Sequence, residues 1–260
     1  MSLLAVAVQG RGLIDPSAPV FSADDESLLR GSVAFETLPT YGGVPFLLGR
    51  HLDRLRTSVA ALALPPAEDV EPLVELVVSA APPDHVLRIY RTEQVLVATA
   101  GALPGDLEEE RARGLRLVSV ELDAPALLAG VKSTSYAGAF AARRFAERQG
   151  ADDALFVANG VVRELPTANV WWRNGEQLFT PTVGTGVLPG VTRSVMLELS
   201  SAAEGEFPLD DLLDADEAFA TSSIREVMPV VAVDGRPIGD GRPGPAAARL
   251  QAALRLRSRP

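Results

Sequence analysis

Lys132 is the single lysine among 24 basic residues, the rest being arginine. Arginine serves well for surface charge, salt bridges and phosphate contacts. It cannot form an imine, which needs a primary amine able to lose its proton. Either a coding bias toward arginine has left one lysine standing, or Lys132 is a nucleophile. Groups for other chemistries are scarce. The chain has no cysteine, which excludes disulfides, thiolate metal sites and a cysteine nucleophile. His51 and His85 are its only histidines and lie in no ligand-spaced cluster. A histidine metal site or a Ser-His-Asp triad therefore has few candidates.

The elements that must position these groups follow from periodicity and turn signals. Strands are expected near Leu3–Val8, Val33–Thr37, Pro45–Leu48, Val86–Arg91 and Val95–Thr99. Leu52, Leu55, Val59 and Leu62 recur at helical spacing, and a second helical pattern, Leu73–Val78, continues after Pro72. Gly101–Gly114, with its GALPGD and charged run, reads as a linker. The expected boundary separates an N-terminal α/β domain (1–108) from a C-terminal domain (109–260). Beyond it come a strand at Leu115–Glu121 and a helix at Tyr136–Gln149. Asn159-Gly160 and Asn174-Gly175 are tight-turn signals. The first lies between Ala154–Ala158 and Val161–Glu164, the second between Val170–Arg173 and Gln177–Phe179. A helix over Thr192–Ser201, strands at Glu217–Thr221 and Val227–Val233, and a last helix from about Pro245 complete the reading.

Composition narrows the class. A formal charge of −10 gives nucleic-acid binding little electrostatic support. The opening MSLLAVAVQGRG lacks the basic region and cleavage site of a signal peptide, and no apolar run is long enough to span a bilayer. A cytoplasmic protein with no nucleic-acid or membrane partner is expected.

Five segments in order, covering about Phe21 to Pro245, carry a resemblance: GSVAFET with GGVPFLLGRHLDRLRTS, GVKSTSY, GVVRELPTANVWW, GVLPGVTRS and TSSIREVMPV. Together they resemble fold-type IV pyridoxal 5′-phosphate (PLP) enzymes, the class IV aminotransferase family. That family includes branched-chain aminotransferases, D-amino acid aminotransferases and 4-amino-4-deoxychorismate lyases. The resemblance implies a two-domain α/β (α+β) fold, D-amino acid aminotransferase-like, with PLP in the crevice between a first domain and a C-terminal PLP-binding domain. It also implies a homodimer sharing residues across the active site.

Residue by residue, the resemblance makes Lys132 the imine-forming lysine and Glu164 the carboxylate at the cofactor's ring nitrogen. PLP is an electron sink only while that nitrogen is protonated. Arg54 falls at the phosphate-binding arginine, whose planar guanidinium suits a dianionic phosphate, whereas Arg56 reads as a solvated charge. Val191 and Thr192, at a helix start, are assigned to the phosphate through backbone N–H groups, with a weaker claim for Arg193. Thr221, Ser222 and Ser223 match hydroxyls used for phosphate and substrate carboxylate, Ser222 on phosphate and Ser223 on substrate. Tyr136 either hydrogen-bonds the cofactor or faces the core, and Asn169 buttresses the loop. The family often has Gly-Asp-Gly where Gly31-Ser32-Val33 stands, and Gly where Leu165 stands.

Arg88 and Arg91 are candidates for substrate carboxylates. The expected substrate is a small amine carrying carboxylate. Length, FET, HLDRL and TSSIREVMPV look most like aminodeoxychorismate lyases, which eliminate pyruvate and release 4-aminobenzoate for folate synthesis. The alternatives are a transaminase of branched-chain, D-amino or other amino acids, and a PLP-binding protein without turnover.

Overall fold

The computed structural model describes residues 3–122 and 126–258, and the chain divides into two compact units. The first takes in residues up to Pro104 together with Val131–Tyr136, and the second comprises Gly105–Gly130 and Ala137–Arg257.

The first unit is built on strands β1 (Leu3–Val8), β2 (Gly12–Ile14), β3 (Ala34–Tyr41), β4 (Val44–Pro45), β5 (His85–Arg91) and β6 (Leu96–Gly101), with helices α1 (Glu26–Leu29), α2 (Leu48–Ala61) and α3 (Val70–Ala80). The strands form one antiparallel sheet in the order β2-β1-β6-β5-β3-β4. Leu52, Leu55 and Val59 of α2 and Leu73, Val74 and Val77 of α3 bury against Leu38, Leu87, Ile89 and Ala98 on one face. Each such side chain contributes roughly 1.5–3 kcal/mol on leaving water. Because strand side chains alternate, the other face is left to Phe35, Thr37, Arg88, Tyr90 and Thr99.

The second unit contains α4 (Leu107–Arg113), β7 (Leu115–Glu121), α5 (Ala137–Arg148), β8 (Asp153–Ala158), β9 (Val161–Val162), β10 (Glu164–Leu165), β11 (Ala168–Asn174), β12 (Gln177–Pro181), α6 (Val191–Leu199), β13 (Ala203–Gly205), α7 (Leu209–Leu213), β14 (Glu217–Ser222), β15 (Glu226–Val233), β16 (Arg236–Pro237) and α8 (Pro245–Ser258). Its sheet runs β13-β12-β11-β14-β15-β7-β8-β9, with β10 on β11 and β16 on β15. β7 is parallel to both β8 and β15. Leu115, Leu117, Leu155, Leu165, Trp172, Ala218 and Met228 form its core. No helix of the described residues is long and apolar enough to cross a membrane, and none of them group as a metal cluster.

Several local expectations are corrected. The charged run read as a linker is helix α4. Glu108, Glu109 and Glu110 occupy its first turn and Arg111 and Arg113 its last, the order that complements a helix dipole. The strand expected over Pro45–Leu48 is reduced to β4, which ends at Pro45: Leu47 turns left-handed (φ 52°) and α2 starts at once. Pro72 lies within the first turn of α3, where its missing N–H costs nothing. Asn159 and Gly160 both have positive φ, as the first tight turn requires. In the second, Asn174 pairs with Gln177, so Gly175 leads the turn. The strand expected over Val161–Glu164 breaks at Arg163, so Glu164 pairs with Asn169. Val131–Tyr136, which carries Lys132, packs in the first unit because it extends the ladder at β3.

Candidate active site

Lys132 is stitched to β3 through its backbone. Phe35 N–H donates to Lys132 O at 3.1 Å, Thr134 N–H donates to Val33 O at 2.9 Å, and Ala34 and Ser133 form an antiparallel bridge. Lys132 N–H donates to Ser58 Oγ at 3.0 Å, from a fully buried position on the inward side of α2. The amine lies over the Phe35 ring, 4.4 Å from its centroid, a cation–π geometry. Phe35 stacks with Tyr90 at 6.1 Å and meets the Tyr136 ring edge-on at 5.7 Å. Tyr136 is thus half-buried against Phe35.

On the helix-covered face of β3, Glu36 is fully withdrawn from solvent. Arg54 Nε donates to its Oε1 at 2.7 Å, Arg54 Nη2 to its Oε2 at 2.8 Å, and His51 Nδ1 to Oε2 at 2.7 Å. Burial alone would push the Glu36 carboxyl up. The hydrogen bonds from Arg54 and His51 and the positive charge of Arg54 overcome it, and hold the group down to about 2. Burial pushes His51 below its usual value, a direction reinforced by the charges of Arg54 and Lys132. The imidazole is therefore neutral and donates from Nδ1. Arg54, expected at a phosphate, commits a two-pronged fork to Glu36.

The two arginines expected to receive substrate are separated by strand alternation. Arg91 is buried on the helix-covered face, where its Nε donates to Pro65 O at 2.7 Å. Burial lowers its pKa. That placement corrects its assignment as a substrate ligand. Arg88 shares the opposite face with Tyr90, which it reaches electrostatically, and with Phe35 beneath Lys132.

In the second unit, Glu164 accepts from Leu188 N–H at 3.1 Å and from Asn169 Nδ2 at 3.1 Å. Asn169 Nδ2 also donates to Leu188 O at 2.9 Å. Glu164 and Asn169 face one another across the β10–β11 pair, so local pairing brings amide and carboxylate together. Two residues past Leu188, Gly190 precedes α6 and offers no capping side chain. A Cβ there would overlap Asn169 Oδ1, so only glycine fits. The first-turn amides, Val191 and Thr192 among them, lack a side-chain cap, and a helix start of this kind favours an anion. Arg193, by contrast, is buried, with Nη2 donating to Pro181 O at 2.9 Å and to Glu204. It is a structural residue.

Thr221 stands opposite Asn169 on β14, and its Oγ1 accepts from Trp171 Nε1 at 2.9 Å. Ser222 Oγ accepts from Arg225 N–H at 3.2 Å, and Ser223 follows, half-buried. Below this turn, Arg225 donates to buried Asp153 at 3.0 Å. Glu226, left-handed at φ 56°, accepts from Arg255 Nη2 at 2.9 Å and from Gln251. The hydroxyls therefore ride on a rigid, ion-paired base.

Sequence reasoning had not singled out Phe35, Glu36, His51 or Ser58. A signal for two of them was present. Leu48, His51, Leu52, Leu55, Ser58, Val59 and Leu62 form one helical stripe, and the polar residues in an otherwise apolar stripe mark what α2 must reach.

Residues 33–233 match the family described as Amino-transferase class IV. A D-alanine aminotransferase from Bacillus licheniformis is 30% identical over 96% of both chains. An aminodeoxychorismate lyase from Bacillus subtilis is 29% identical over 88% of this chain and 86% of its own. Among solved structures, a hypothetical aminotransferase from Mycobacterium tuberculosis, in a PLP-bound form, superposes with a TM-score of 0.88 at 25% identity. It covers 97% of this chain and 98% of its own. With a fold-type IV architecture in two units and a family match over most of its length, the chain belongs to the class IV aminotransferase family.

Proposed function

We propose that this protein is a PLP-dependent enzyme that eliminates pyruvate from 4-amino-4-deoxychorismate to give 4-aminobenzoate. The residues fit the cofactor. The chain's one side-chain primary amine stands at Lys132, a carboxylate with fixed donors at Glu164, and an uncapped helix start at Gly190, where a Cβ has no room. These are the partners that an aldehyde, a pyridine nitrogen and a phosphate respectively need. When bound, the cofactor supplies an electron sink for the carbon bearing the substrate's amine.

Lys132 would attach the cofactor and, once displaced, move a proton from that carbon. The Phe35 ring, under the amine at 4.4 Å, steadies it while it is displaced. Glu164 would hold a proton on the ring nitrogen, and Asn169 and Leu188 N–H keep its carboxylate aimed. Val191 and Thr192 amides, Ser222 and Thr221 would bind phosphate, with Arg54 acting from the end of its fork on Glu36. Tyr136 would line the cofactor's approach to Lys132. Arg88 and Ser223 would meet substrate carboxylates. A cytoplasmic homodimer supplying folate synthesis goes with this reading, as does a boundary between the two domains near residue 108.

The observation that carries the lyase reading is the aromatic pair Phe35–Tyr90 beside Lys132, a flat apolar surface suited to a six-membered ring. Transamination is the second reading, favoured by the 30% identity to a D-alanine aminotransferase. Incubating the purified enzyme with aminodeoxychorismate and no oxo-acid acceptor separates them. Release of pyruvate and 4-aminobenzoate is expected. Stoichiometric bleaching of the bound cofactor by an ordinary amino acid, with no aminobenzoate formed, would overturn the lyase reading in favour of transamination.

A further inference from the structure

Lys132 leaves the β-ladder at its own amide. Around the Ala34–Ser133 bridge, Phe35 N–H donates to Lys132 O and Thr134 N–H donates to Val33 O, the two bonds that flank such a pair. Phe35 and Lys132 therefore stand where antiparallel partners exchange both bonds, and a continued ladder would return Lys132 N–H to Phe35 O. The N–H goes instead to Ser58 Oγ at 3.0 Å, on a side chain 74 residues earlier.

Nothing local calls for a hydroxyl at position 58. Leu52, Leu55 and Val59 of the same helix enter the core, and Ser58 is buried as completely as they are. Its neighbour Thr57 satisfies its hydroxyl inside the helix, on Asp53 O at 3.0 Å. Ser58 turns its oxygen away from the helix, to Lys132. That acceptor is also held still. Arg54, about 6 Å back along the axis of α2, grips Glu36 together with His51. Glu36 follows Phe35 on β3, and Phe35 N–H holds Lys132 O. The contacts close a circuit, from Lys132 to β3, from β3 to α2, and from Ser58 back to Lys132.

We infer that Ser58 is a positioning residue for Lys132. By drawing the amide out of the ladder it sets where the lysine side chain leaves the backbone, and through that the place of its amine. Its value to the reaction rests on the reading of Lys132 given above, whereas its hold on the amine does not. With alanine at position 58, Phe35 O is the acceptor that remains in line for the N–H, and the peptide turns back into the ladder.

The single lysine makes the test specific, because full-length protein grown on isotope-labelled lysine gives one side-chain ε-carbon signal. In the parent, that carbon is bonded to a nitrogen 4.4 Å above the Phe35 centroid, so the ring's magnetic field displaces its signal from that of free lysine. The parent, Ser58→Ala and Val59→Ala proteins are compared before and during loading with PLP. Val59→Ala, buried one residue further along α2, controls for lost packing alone. Ser58→Ala should lose most of the displacement and slow covalent uptake of the cofactor by about tenfold to a hundredfold, the scale of an ångström's misplacement. Val59→Ala should change neither. An unmoved signal in Ser58→Ala, or an equal movement in Val59→Ala, would overturn the assignment. Borohydride mapping of the loaded parent separates failure of the Lys132 reading. A signal that moves in Ser58→Ala, with no label at Lys132 in the parent, keeps Ser58 as the residue that places the amine and removes the cofactor from Lys132.

Discussion

Arg54 and Glu36 grip each other through both carboxylate oxygens, at 2.7 and 2.8 Å, on a side chain fully withdrawn from solvent, with His51 completing the set. The Glu36 carboxyl is held down to about 2 from an ordinary 4.5. The sign follows from linkage: this stability is fully present above about pH 4.5 and is lost as pH falls toward 2. The shift corresponds to about 3 kcal/mol. Glu36→Gln should lower stability at neutral pH and flatten the acid limb of the unfolding profile below pH 4.5. Urea titrations at a series of pH values would check it, and an unchanged acid limb would remove Glu36 as its source.

Lys132→Arg should keep the fold and lose covalent attachment of the cofactor, because guanidinium retains charge but forms no imine. Borohydride reduction followed by peptide mapping should label the 131–136 segment in the parent protein and no side chain in the variant. Side-chain labelling of the variant contradicts the assignment.

Glu164→Gln should retain cofactor and lose catalysis by about a hundredfold, since a neutral amide stabilises the ring nitrogen's positive charge poorly. Cofactor absorbance and kcat, measured on the same preparation, separate the two effects. Weakened cofactor binding with normal kcat would place Glu164 in anchoring alone.

Arg91→Ala should act on stability rather than on substrate. Its Nε bond to Pro65 O at 2.7 Å ties β5 to the chain between α2 and α3. Losing this charge-assisted bond to a half-buried carbonyl costs about 1.5–3 kcal/mol. A lower Tm with unchanged KM is expected; a rise in KM at unchanged Tm would return Arg91 to the substrate.

Gly190→Ala should push Asn169 aside, because the new methyl would occupy the place of Asn169 Oδ1. Overpacking of this kind costs about 1–3 kcal/mol. Cofactor dissociation should quicken together with the fall in Tm, and normal retention would detach the helix start from phosphate binding.

What could be read in the sequence was local. The period of α2, the tight turn at Asn159-Gly160 and the strand from Leu115 to Glu121 follow from side-chain spacing, and each forms where that spacing demands. The singular Lys132 was legible because only one residue type could serve. Pairing partners were not legible. That Arg88 and Arg91 face opposite ways depends on a register that three residues of spacing cannot reveal until the span is known to be an unbroken strand. The grip of Glu36 on Arg54 joins residues 18 apart across a strand–helix turn, and Leu47, where α2 begins, carries no sequence mark of its left-handed backbone.

Asn169 touches both the carboxylate of Glu164 and the space beside Gly190. One short amide thus works as a ruler between an acid at one end and the start of α6 at the other. Lengthening it to glutamine would keep the same functional group yet misset the gap by one carbon–carbon bond. The spacing between Glu164 and the start of α6 is therefore set by a side chain that belongs to neither.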